Sequence, residues 1–156
     1  IASMENAGLI PCDIPAMWTK VGHAGQTRNP EIRLGNILEP FIYARKDTSS
    51  IIRQPGRNNQ FLYKALHPEF NFKSLHPDHK VHPTERPIEM MEEVIKTFSV
   101  PGGHIMVPFL GSGNTLLAAS NLGSTCFGFD LSEEYKNSFL KRVMEGEPGK
   151  YKSYLT

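Results

Sequence analysis

Apolar and polar positions along this chain follow two regimes, and the change falls near residue 84. Beyond it the pattern is sharp. Ile88, Met91, Ile95 and Phe98 recur at helical spacing, with Thr84 a candidate N-cap and Pro87 tolerated in the first turn. Pro101-Gly102-Gly103 ends that helix, and the apolar run from His104 to Val107 predicts a buried strand. Leu116 to Leu122 predicts a helix closed by Gly123, and Cys126 to Phe129 a second short strand that ends at Asp130. Ser132 caps a last helix, with Glu133 and Glu134 in its first turn where acidic groups suit the helix dipole. Tyr135, Phe139, Leu140 and Val143 supply its core face, which leaves Lys136, Lys141 and Arg142 on the solvent side. Helix–strand–helix–strand–helix is a βαβ unit with a leading helix, so the two strands are expected to be parallel with a right-handed crossover.

Upstream the pattern is looser. Residues 2–8 resemble the tail of a helix closed by Gly8. Ile10 to Val21 reads as a strand made irregular by Pro11 and Pro15. Gly22 to Asn36 reads as a polar loop, and Ile37 to Arg45 as a second strand, antiparallel to the first. Residues 47–82 have little periodicity and are rich in Ser, Asn, Pro, Arg and His, which marks a functional or irregular region. The organisation expected is therefore residues 1–46 as helix end and hairpin strands, 47–81 as an irregular recognition-like region, and 82–156 as a ligand-binding βαβ part.

Composition narrows this only slightly. The chain has 156 residues, 39% hydrophobic, and a net charge of +1, enough for one domain with a real core and too balanced for a strongly basic nucleic-acid module. No apolar run approaches a bilayer span, and the two cysteines, Cys12 and Cys126, lie far apart in apolar surroundings. A reduced, cytoplasmic protein is expected. The chain opens Ile1-Ala-Ser-Met-Glu-Asn6 in what reads as mid-helix, so a segment of a longer polypeptide is expected too.

Candidate chemistry concentrates at the two strand ends. In open α/β sheets a ligand sits outside the carboxyl ends of the strands. Here the first end carries Phe109, Gly111, Ser112 and Gly113, and the second carries Asp130, roughly 17 positions past Gly113 and near the ~20-residue spacing of a ribose-binding carboxylate. Neither a Walker lysine nor a full G-x-G-x-x-G is present, so a ligand with a ribose but no phosphate fits better. Taken alone, the glycines could serve a tight connection and Asp130 could serve the helix after it. Their order and spacing together favour a ligand.

Three segments, His82-Pro-Thr-Glu-Arg-Pro87, Val107-Pro-Phe-Leu-Gly-Ser-Gly-Asn-Thr115 and Gly128-Phe-Asp-Leu-Ser-Glu-Glu-Tyr135, resemble the DNA amino-methyltransferases that modify adenine N6 or cytosine N4. The order of the segments is similar to the permuted β group of that family, and the likeness extends loosely to residues 13–20 and 39–46. The resemblance implies a Rossmann-like, S-adenosylmethionine-dependent methyltransferase fold and double-stranded DNA, with a flipped base, as partner. It also implies that Phe109, Gly111, Ser112 and Gly113 wrap the methionine half of the cofactor. Asp130 takes the ribose hydroxyls and Leu131 packs near the adenine. Thr84, Arg86 and Pro87 approach from the other side.

Two departures from the family pattern matter. Val107 stands where the family carries an acidic residue, and the catalytic tetrapeptide (Asp/Asn/Ser)-Pro-Pro-aromatic occurs nowhere in the sequence. In the permuted order the strand bearing that tetrapeptide and the strand after it precede the hairpin, so the sheet is expected to be incomplete here, with catalytic residues outside these positions. The rival expectation is a degenerate, non-catalytic domain that binds DNA or a partner protein. His67, His76, His79 and His82 lack zinc-ligand spacing and read as a loop. Arg28, Arg33, Arg45, Lys46, Arg53 and Arg57 suit either phosphate contact or an ordinary solvated surface. Trp18 and the stretch Phe41 to Tyr43 read as core.

Overall fold

The computed structural model describes residues 1–21, 31–49, 51–64 and 85–153. The order of elements is α1 (Ala2–Asn6), β1 (Ile10–Pro11), β2 (Ala16–Val21), β3 (Leu38–Phe41), β4 (Ala44–Arg45), β5 (Gln60–Lys64), α2 (Ile88–Phe98), β6 (His104–Val107), α3 (Asn114–Asn121), β7 (Thr125–Gly128) and α4 (Glu133–Glu145). Among the described residues the strands form three sheets: β1 with β4, β3–β2–β5, and β6 with β7.

The expected hairpin is present but divided. β1 pairs antiparallel with β4, and β2 with β3, so each expected long strand is cut into two short ones. Cys12 to Pro15 on one side face only Ile42 and Tyr43 on the other, and the register shifts across the gap. Pro15 has no N–H to give a ladder, which explains why the break falls there. The region expected to lack periodicity contains a strand. β5 runs parallel to β2, with Trp18 opposite Phe61. Both side chains are almost fully buried, and Phe61 meets Phe41 at 5.4 Å between ring centroids.

The βαβ unit matches its expectation: β6 and β7 are parallel, and α3 connects them. Ile105 and Cys126 join a core built on Ile88, Ile95, Leu117, Ala118, Ala119 and Tyr151, with Phe139 and Val143 of α4 packed against it. Two details of the helices differ from the pattern. Pro87 occupies the N-cap position of α2 rather than its first turn, and Thr84 lies outside the described residues. The Ile88 N–H is instead received by Ser153 Oγ at 2.7 Å, while that hydroxyl donates to Glu89 Oε2 at 2.7 Å. On α4, Leu140 is exposed and Arg142 is buried, the reverse of the apolar-stripe reading.

The two halves meet at α2. The Arg53 N–H donates to the Thr97 carbonyl at 2.7 Å, Tyr43 packs on Phe98, and Arg57 pairs with Glu93 at 2.9 Å while lying over the Phe61 ring. Arg57, half-buried, thus ties the two halves together. The other face of the β6–β7 pair carries His104, Met106, Thr125 and Phe127, all exposed, although parallel strands are ordinarily covered on both faces.

Candidate functional site

The site forms where β6 and β7 end. The ladder continues one step past each strand: the Phe129 N–H donates to the Val107 carbonyl at 3.0 Å, and the Leu110 N–H to the Phe129 carbonyl at 2.8 Å. The chain then turns through Gly111 and Gly113, which take φ of 56° and 79°, a region that a Cβ penalises. Gly113 has a second duty. A Cβ there would run into the Phe139 ring, so its lack of a side chain lets α4 approach the turn. At Gly113 a helix-packing role thus stands beside the ligand-approach role read for both glycines.

Asp130 joins the two strand ends. Its Oδ2 accepts from the Gly111 N–H at 2.7 Å and its Oδ1 from the Ser132 N–H at 2.9 Å. One carboxylate thus holds both the glycine turn and Ser132, whose own Oγ caps α4 by accepting from the Tyr135 N–H.

These elements enclose a cavity of about 270 Å³. Arg86, Phe109, Gly111, Ser112 and Asp130, all singled out from the sequence, line it. Leu110, Asn114 and Thr115 line it as well and were not singled out. Gly113 lies behind the wall, and Pro87 is fully buried at the start of α2. Leu131 is fully exposed beside Asp130, and Phe109 is 91% exposed. Thr84 and the four histidines from 67 to 82 fall outside the described residues.

Asn114 is the residue that pattern reading missed. It is 3% exposed, and its Nδ2 donates to the Arg86 carbonyl at 2.6 Å and to Glu85 Oε1 at 3.1 Å. Two acceptors fix the amide orientation, which leaves Oδ1 buried without a hydrogen-bond partner. Such an acceptor costs roughly 1–3 kcal/mol unless something enters to satisfy it. An asparagine at the start of a helix reads as an ordinary cap in sequence, and only its burial marks it.

Cys126 and Tyr43 are shifted from their ordinary titration, and neither lines this cavity. Burial pushes the Cys126 thiol up, which keeps it protonated and unreactive. A larger cavity of about 400 Å³ sits at the β1–β4 pair, where the Tyr43 phenol is raised mainly by its hydrogen bond with Cys12. Among the described residues, no cluster of His, Cys, Asp or Glu could hold a metal ion, and no helix is long and apolar enough to cross a membrane.

A mixed α/β unit with a glycine turn and an acidic strand end beside one cavity has the layout of a Rossmann-like fold. Comparison with known proteins makes this specific. The N6/N4 methyltransferase family model, described as DNA methylase, matches residues 16–141, and the chain belongs to that family. It is 27% identical over 127 residues to the Type II methyltransferase M.BglII of Bacillus subtilis, covering 78% of this chain and 35% of that protein. It is 36% identical over 62 residues to the putative methylase YubD of Escherichia coli K12, covering 40% of this chain and 27% of that protein. In three dimensions it is similar to the crystal structure of an M1.HpyAVI–SAM complex, with TM-score 0.70, 25% identity, 90% of this chain covered and 65% of the other. The chain therefore spans about a third or less of these curated relatives, and just under two thirds of the solved one.

Proposed function

We propose that this chain forms the cofactor-binding part of a DNA methyltransferase that transfers a methyl group from S-adenosylmethionine to an exocyclic amine, adenine N6 or cytosine N4. The observation that carries the reading is the cavity between the glycine turn and Asp130, at the carboxyl ends of two parallel strands. Its linings suit that cofactor: a carboxylate for ribose hydroxyls and an exposed aromatic ring in Phe109 for apolar contact.

When bound, S-adenosylmethionine supplies an electrophilic methyl group on a sulfonium. The residues here bind and orient. Asp130 holds the Gly111 N–H and the first turn of α4 in register, so the turn keeps its shape as ribose hydroxyls are received. Arg86 closes the opposite wall and is itself steadied by Glu39 of β3 at 3.5 Å. The base-holding tetrapeptide is absent from these 156 residues, so in this reading the flipped base and its amine are held by residues outside them. Thr84 and Leu131 complete the proposed set, with Pro87 acting through the placement of Arg86 beside it.

The test is isothermal titration of S-adenosylmethionine into the full-length parent protein and its Asp130→Ala variant. Micromolar-range binding that falls by at least about tenfold in the variant is expected. Equal binding by both would sink the ribose assignment. Absence of binding by the unaltered protein would favour a degenerate domain, a reading that Val107 in place of the family's carboxylate motivates.

A further inference from the structure

Behind the glycine turn lies a buried polar network that neither the sequence motifs nor the family match accounts for. Arg142 projects from the last turn of α4 and is 8% exposed. Its Nη1 donates to the Ser112 carbonyl at 3.1 Å and lies 3.7 Å from Glu85 Oε1. The Glu85 side chain is 3% exposed, and the same Oε1 accepts from Asn114 Nδ2. Asn114 in turn donates to the Arg86 carbonyl. One chain of contacts therefore runs from α4 through the turn and the first residue of α3 to the segment before α2.

The two walls of the cavity, the turn at Ser112 and the backbone at Arg86, are the two ends of this network. An ion pair buried to this degree is a poor way to gain stability, since desolvation offsets most of the Coulombic gain. What it supplies is geometry: the guanidinium fork fixes donors in directions that an apolar side chain would leave unset. We infer that Arg142 and Glu85 are positioning residues that hold the Ser112 and Arg86 backbone apart at the width the cofactor requires, without touching it. This rests on the methyltransferase reading above.

The experiment uses the full-length parent protein, with S-adenosylmethionine as probe and steady-state methyl transfer to DNA as second readout. Arg142→Met and Glu85→Gln are compared with Arg142→Lys, which keeps the charge, and with Asp130→Ala as a control on the cavity itself. Arg142→Met is expected to raise Kd and KM for S-adenosylmethionine about tenfold, with kcat at saturating cofactor within about threefold and KM for DNA unchanged. Glu85→Gln, which keeps shape and an acceptor for Asn114, is expected to show the same split more weakly, and Arg142→Lys to recover part of the loss. If Arg142→Met fails to fold, the Glu85→Gln split decides. A folded Arg142→Met, or Glu85→Gln alone, with unchanged cofactor affinity would overturn the inference, as would equal loss in kcat and both KM values. Loss of binding in Asp130→Ala with none in the network variants would overturn this inference alone; unchanged binding in Asp130→Ala would overturn the underlying reading.

Discussion

At the scale of single residues, Gly113 shows how one position can carry two constraints. Its φ of 79° suits glycine, and the space its side chain would fill is taken by Phe139. Gly113→Ala is therefore expected to destabilise the fold by about 2 kcal/mol or more, read as a lowered midpoint in urea unfolding. Combining it with Phe139→Ala should cost less than the sum of the two single changes, because removing the ring relieves the clash but not the dihedral. The sequence marked this glycine correctly and for only part of the reason. Asp130 is similar: its position and type were legible, while its simultaneous hold on Gly111 and Ser132 required the two strand ends to be brought together.

At the scale of elements, the helices announced themselves, as did Ser132 as the cap of α4, but the start of α2 did not. The spacing of Ile88, Met91, Ile95 and Phe98 predicts α2 well, because a helix's buried face repeats at 3.6 residues whatever its partner is. Its cap comes from Ser153, far along the chain, which no local signal could reveal. Ser153→Ala is expected to lower stability by about 1 kcal/mol, and Ser153→Thr to retain most of it, measured by thermal or urea unfolding. The strands were harder. β5 has no alternating pattern to betray it, since it gains its place by lying parallel to β2 with Phe61 buried opposite Trp18. Arg142 was misplaced for a related reason. Charge predicts solvent exposure for most arginines, and partners that include Ser112 and Glu85 offset the cost of burial here.

At the scale of the whole molecule, the hairpin half and the βαβ half are joined across α2 by a few specific contacts. Arg86 with Glu39 at 3.5 Å and Arg57 with Glu93 at 2.9 Å are charged, the latter with side chains 22% and 24% exposed. A double-mutant cycle on Arg57→Ala and Glu93→Ala is expected to give a coupling of about 1 kcal/mol or less, shrinking as salt is added, because partial exposure lets solvent screen the pair. Arg57→Ala alone should cost more than that coupling, since it also uncovers the Phe61 ring. A coupling that is insensitive to salt would show the pair to be more deeply enclosed than its exposure implies.

The sequence by itself determined the βαβ order, the parallel strand pair, the glycine turn, the acidic strand end and the family. These are properties of local spacing, and a short motif carries its own geometry wherever it folds. Only the tertiary structure decided that Gly113 serves Phe139, that Asn114 and Thr115 wall the cavity, and that a buried arginine from the last helix reaches the turn from behind. Those facts depend on which distant segments share a volume. A side chain's burial and partners are set by that packing, and residue type alone states only what each would cost without it.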